Sequence, residues 1–224
     1  MHKGMPNNGL EPTEPPRRLC RLNPGVRRWP IHTSFLNNRW KAVKPTIRSV
    51  ALPDQALLRK YADGGGYTDC YFTQIACTAT FASYTAAFYT AWVFKLERLL
   101  LAILLGKPST DPQAKQLAAG ARDYFSAWSV EQRADGQLLM CDLGGRTRTW
   151  LMAVPAGHRE HEPTHLFLGS AIVPVVDEAT GHKRLGVGFQ ALLSFHKLYS
   201  RVLLRAARLR LQRFQRIERE RTCA

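Results

Sequence analysis

Residues 125–154 read FSAWSVEQRADGQLLMCDLGGRTRTWLMAV. Two turn dipeptides, Asp135-Gly136 and Gly144-Gly145, cut this stretch into three runs: Phe125 to Arg133, Gln137 to Leu143 and Arg146 to Val154. Turns this short take the glycine conformations that reverse a chain at once, so the runs are sequential antiparallel neighbours. Beyond a polar loop, Thr164 to Val176 supplies a fourth strand, bent near Pro174, before a polar turn from Glu178 to Lys183. The spacing therefore predicts a four-strand antiparallel meander.

Upstream, Tyr67, Asp69, Tyr71, Thr73 and Ile75 alternate with Thr68, Cys70, Phe72 and Gln74 behind the Gly64-Gly65-Gly66 turn, the pattern of a further, first strand. Phe81, Tyr84, Phe88, Trp92, Leu96, Leu99 and Ile103 then recur at spacings of three and four. They predict one helix with a wide core-facing stripe, ended by Gly106 and Pro108. Ser109, Thr110 or Asp111 can cap a second, short helix with Pro112 in its first turn, running to about Ala121.

Downstream, Gly188 to roughly Glu220 predicts one long helix with Phe189, Leu192, Leu193, His196, Tyr199, Leu203 and Ala207 on one stripe and Lys197, Arg201, Arg205 and Arg208 on the far side. Arg210 enters the apolar arc near Leu211 and Phe214, so the helix is expected to dock at its start and protrude at its end. The expected fold is α+β: an antiparallel β-meander with a long C-terminal helix packed on it, helix-grip-like, and two helices inserted after the first strand. Residues 1–44 form a basic tail without periodicity, 45–210 the single domain, and 211–224 a basic extension of the last helix.

The formal charge of +15 is unevenly spread. Residues 1–44 hold nine Lys/Arg against two Glu, and residues 197–224 hold nine against two, leaving the middle at +1. The basic ends suit phosphate, anionic lipid or an acidic partner, and equally a solvated face. Five scattered cysteines, Cys20, Cys70, Cys77, Cys141 and Cys223, form no CxxC pair and point to a reducing compartment. The first thirty residues lack an apolar leader, so the expected location is the cytoplasm. Lys95, Glu97 and Arg98 interrupt the apolar run before Leu99 to Leu105, which argues against a membrane span.

The strings YTDCYFTQI, AFYTAWVFKLERLL, KPSTDPQAKQLAAG, CDLGGRTRTWLM, LFLGSAIVP and LSFHKLYSRVLLRAARLRL resemble a bacterial family of domains of unknown function, DUF2867-like, itself similar to the START-like (SRPBCC) helix-grip superfamily. The resemblance covers about residues 48–210. It implies the grip fold and, from the wider superfamily, binding of lipids, hormones or polyketides, but it carries no catalytic residues over.

Two motifs lose their usual meaning in context. His161-Glu162-Pro163-Thr164-His165 spells HExxH, yet Pro163 denies the helix that would set both histidines on one metal; His158, His161 and His165 could at most collect an ion on a loop. Gly186-Val187-Gly188-Phe189-Gln190-Ala191 matches GxGxxA, but no βαβ unit precedes it. Nothing in the sequence implies a cofactor.

A twisted sheet under a straight helix leaves room between them, so the leading expectation is a small hydrophobic molecule bound there. His196 and Tyr199 would be its polar contacts, and Trp92, Trp128 and Trp150 its walls. Each has an ordinary alternative, a satisfied core histidine or plain aromatic core. Arg146 and Arg148 share a strand face with Trp150 and Met152 and could clamp an anion, with Asp142 as resting partner, or simply line an exposed face. Glu97 and Arg98 are expected to pair with Lys95 or with the sheet. The alternative function is docking on an acidic membrane or nucleic-acid surface through the basic ends, and a third is catalysis by His196.

Overall fold

The computed structural model describes residues 46–157, 162–173, 175–176, 183–184 and 189–222. Its strands are β1 (Arg48–Ser49), β2 (Tyr67–Ile75), β3 (Tyr124–Phe125), β4 (Trp128–Ala134), β5 (Gln137–Asp142), β6 (Thr147–Pro155), β7 (Thr164–Ile172), β8 (Val175–Val176) and β9 (Lys183–Arg184). The helices are α1 (Arg59–Asp63), α2 (Phe81–Tyr89), α3 (Trp92–Leu105), α4 (Asp111–Ala118) and α5 (Phe189–Thr222).

Seven strands make one antiparallel sheet in the order β1-β2-β7-β6-β5-β4-β3. The meander runs from β4 to β7 as its turns dictate: Gly136 takes φ 65° in the first hairpin, and a Cβ there would lie 2.8 Å from the Ala153 carbonyl oxygen. β2 completes the sheet by pairing along its whole length with β7, from Tyr67 opposite Ile172 to Ile75 opposite Thr164. The expected fourth strand is two pieces, because β7 stops at Ile172 and β8 pairs with β9 instead.

The single helix expected from Phe81 to Ile103 is broken, so three helices follow the first long strand where two were expected. Thr90 ends α2: its hydroxyl donates to the Ala86 carbonyl at 2.6 Å and accepts from Arg210 Nε at 2.6 Å. Ala91 is then extended, at ψ 148°, and α3 starts in a new direction. Thr110 is the residue that caps α4, in a reciprocal box with Gln113.

Both faces of the sheet are covered. Alternation puts Tyr71, Ile75, Leu138, Met140, Leu151, Leu166 and Leu168 on the helix-covered face, with Tyr84 and Phe88 of α2 packed into the same core. Phe88, Tyr89, Phe94 and Phe125 join there, edge to face or tilted, at 4.9–5.6 Å for these pairs. The other face carries Cys70, Phe72, Leu139, Trp150, Met152 and Phe167, closed by Ala56 and Leu58 from the segment ahead of α1. α5 packs on the sheet at β2 and beside α2 and α3, while α2 takes the central place between α5 and α4 and meets β6. α5 is most buried over its middle, from Ser200 to Leu211; ahead of that, His196 and Tyr199 of the expected stripe are half-buried, while Phe195 and Leu198, which lie off the stripe, are exposed. Among the described residues no helix is long and apolar enough to cross a membrane.

Candidate functional site

The helix-covered face of the sheet is closed at one end and half open at the other. Thr73, Ile75, Leu151, Ala153 and Leu166 are buried, whereas Tyr67, Thr147 and Thr149, on the same face, are partly exposed; beside them Ser170 and the Asp69 side chain are buried. The front half of α5 reaches this half-open end and delivers two polar side chains to it, His196 and Tyr199.

His196 meets a pair of strand residues. Asp69 of β2 and Ser170 of β7 are direct cross-strand partners, and the Ser170 hydroxyl donates to Asp69 Oδ1 at 2.6 Å. The Ser170 main-chain N–H donates to the same oxygen at 3.2 Å. His196 Nε2 lies 2.7 Å from Ser170 Oγ and 3.3 Å from Asp69 Oδ2. Tyr67 and Tyr71 extend weak donors to Oδ2 at 3.4 and 3.5 Å. Burial first, and then the neighbouring Asp69 charge, push the Tyr71 hydroxyl up to about 12, so it stays a donor.

Serine, histidine and aspartate together suggest a nucleophile, but the geometry differs from that of a relay. In a relay the carboxylate holds one ring nitrogen while the other takes the serine proton. Here Ser170 and Asp69 both face Nε2, and the serine proton points at the carboxylate. Ser170 is therefore not aligned as the nucleophile of such a relay.

Tyr199, one turn beyond His196, donates to Glu97 of α3. Trp128 of β4 donates to Glu97 as well. Burial is the largest influence on Glu97 and raises its carboxyl above the ordinary value, while the two donors pull it back down. Burial likewise holds the Tyr199 hydroxyl far above its ordinary range, with Glu97 adding to the effect. The half-open end therefore carries two carboxylates, each fed by donors from a strand and from α5.

The five residues singled out in the sequence separate. Trp128, His196 and Tyr199 come to this end of the fold. Trp150 is fully buried on the opposite face, its indole N–H donating to Gln137 Oε1 at 2.9 Å, so it cannot wall a space under α5. Trp92 is 67% exposed at the start of α3, because the break at Thr90 turns it outward. Sequence reasoning missed Asp69 and Ser170 as site residues and gave Glu97 only a structural pairing. For the two strand residues a signal existed: Asp69 and Ser170 are polar at positions whose alternation partners, Tyr71 and Ile75 or Leu166 and Leu168, are core.

The arginine clamp is not there either. Arg148 is spent on Glu131 and on the Tyr61 hydroxyl at 2.8 Å, on the face away from α5. Glu131 reaches them because a bulge between Val130 and Gln132 leaves it unpaired and re-aims it. Asp142 Oδ1 accepts the main-chain N–H groups of Arg146 and Thr147 at 2.8 and 2.9 Å, holding the turn. Lys95 and Arg98 both bind Asp111, at 2.6 and 2.7 Å, and leave Glu97 to Tyr199 and Trp128. His165 lies buried in strand β7, edge-on to Phe72, where burial lowers its basicity; His158 and His161 lie outside the described residues. Among the described residues no group of three potential metal ligands occurs. The basic N-terminal tail, the bend at Pro174 and the GxGxxA glycines also lie outside them.

Compared with known proteins, the chain matches no family model, no curated protein and no solved structure.

Proposed function

We propose that this protein binds a small amphiphile at the half-open end of its helix-covered face, with the apolar body toward the core and a donor-bearing head at the carboxylates. The observation that carries the reading is the convergence of Asp69, Ser170 and His196 with Glu97, Tyr199 and Trp128 as largely buried polar groups next to the half-open end. A head bearing a hydroxyl or amine suits two carboxylates; an anionic head does not. Three hydroxyls deeper in the fold, of Thr73, Thr85 and Tyr89, are buried without a protein partner, which also favours a polar guest or bridging water. The helix-grip resemblance belongs to this reading; what supports it is an antiparallel sheet in which β2 is followed by helices and a long helix closes the chain. Cys70 is a buried free thiol, which favours a reducing compartment such as the cytoplasm.

The test is a thermal-shift series of single-chain amphiphiles with amine, hydroxyl or carboxylate heads, run on the wild type and on Asp69→Asn and His196→Ala. The expected result is stabilisation by the first two head types that is lost in both variants while their circular dichroism is unchanged. Equal shifts in wild type and variants, or no shift with any head, would count against the site.

A further inference from the structure

α3 exposes an apolar stripe that none of the described residues covers. Trp92, Leu96, Leu99, Leu100 and Ile103 sit at intervals of one to four on one side of the helix, and every one is more than half exposed, Ile103 to 70%. Scattered apolar residues on a surface are ordinary, but a continuous stripe along a whole helix marks a contact. The stripe does not end at α3. Tyr199 bonds Glu97 across the junction with α5, and the exposed Phe195, Leu198 and Val202 surround Tyr199 on the α5 side.

Charge identifies the occupant. The only acid of α3 is Glu97, which is turned to Tyr199 and Trp128. α5 has no acid before Glu218; its exposed side sets Arg205 and Arg213 along the line of the apolar residues, with Lys197 and Arg201 on the flank, where the Arg201 guanidinium lies over the Tyr71 ring. A second copy of the chain would set these cations against themselves. Nucleic acid would use the cations and leave Trp92 and the leucines in water. An anionic bilayer surface uses both: apolar side chains enter the headgroup boundary while long cationic side chains lie along them and reach the phosphates. At fourteen residues α3 is too short to span, so it lies in the interface plane.

We infer that the α3 stripe, with the front of α5, is a docking surface for anionic membranes. This rests on the exposed stripe and its charge, not on the amphiphile site, and survives if that site binds nothing.

The experiment is co-sedimentation of the full chain with vesicles of phosphatidylcholine alone and with vesicles about a third phosphatidylglycerol, across a salt series. The same is done with Leu96→Ser, Leu100→Ser and Ile103→Ser combined. These positions are exposed, so the triple variant keeps the wild-type circular dichroism and melting temperature. Expected are binding to the anionic vesicles only, weakening with salt, and a loss of roughly tenfold or more in the triple variant from the apolar area withdrawn. Undiminished vesicle binding by the triple variant overturns the inference by assigning the lipid contact to basic segments elsewhere. So does a wild-type dimer in light scattering that the triple variant abolishes, or duplex DNA bound equally by both proteins when vesicles bind neither.

Discussion

Gly169→Ala tests the packing on which the site depends. Gly169 lies in β7 beside Ser170, facing away from α5. A Cβ there would stand 2.9 Å from Leu58 Cδ2, 2.9 Å from Trp150 Cε3 and 3.0 Å from the Asp69 carbonyl oxygen. The indole is fully buried and the carbonyl belongs to the strand backbone, so neither yields freely. Overpacking of this kind costs about 1–3 kcal/mol. Displacing the indole also strains its 2.9 Å bond to Gln137, worth about another 1 kcal/mol. The total of about 2–4 kcal/mol corresponds to a melting temperature lower by roughly 4–16 °C for a domain of this size. Thermal unfolding followed by circular dichroism reads it. Adding Leu58→Ala, itself destabilising by about 2–5 kcal/mol, removes one of the three overlaps, so the double variant is about 1 kcal/mol better than the sum of the singles. A Gly169→Ala shift below about 0.5 kcal/mol, or strict additivity with Leu58→Ala, would refute the reasoning.

Two further outcomes follow from groups in the site. Glu97 is raised by burial, so its ionised form costs folding stability above its folded pKa, and the cost fades as pH falls through that value toward the ordinary 4.5. Glu97→Gln is therefore expected to melt higher than wild type at neutral pH and to lose that advantage in acid; a constant offset across the pH series would show that burial of charge is not the cause. Tyr89 OH is buried without a protein partner, so Tyr89→Phe is expected to be neutral or stabilising by up to about 1–3 kcal/mol in the ligand-free protein. Chemical denaturation checks it, and a clear loss of stability would mean that the hydroxyl is satisfied.

The meander was legible because its turns are written locally: Asp135-Gly136 and Gly144-Gly145 stand between runs that alternate. The break between α2 and α3 was not, since no glycine or proline marks it. Thr90 ends α2 with the help of Arg210, 120 positions away, and periodicity alone is blind to such a partner. The same stripe thus reads as one core-facing helix while Tyr84 and Phe88 are buried and Leu96 and Ile103 are exposed. Trp150 was misplaced for a related reason. Both faces of the sheet are covered, so alternation sorts residues into two sets without saying which set meets α5. Of the site, His196 and Tyr199 were visible as polar residues on an apolar helix stripe. Asp69 and Ser170 needed the β2–β7 register, which joins positions 101 residues apart.

That register also sets an order of assembly. The hairpins from β4 to β7 close over a few residues each, but β2 pairs with β7 across 89 to 105 positions, a far greater loss of chain entropy. The meander can form early, whereas the seam between β2 and β7 waits for the three intervening helices and the long middle of the chain to collapse. Until it closes, β7 is a nine-residue bare edge rich in apolar side chains, able to capture a strand from another molecule. Asp69 and Ser170 lie on that seam, so the constellation that completes the site also records that the risky step of folding is over.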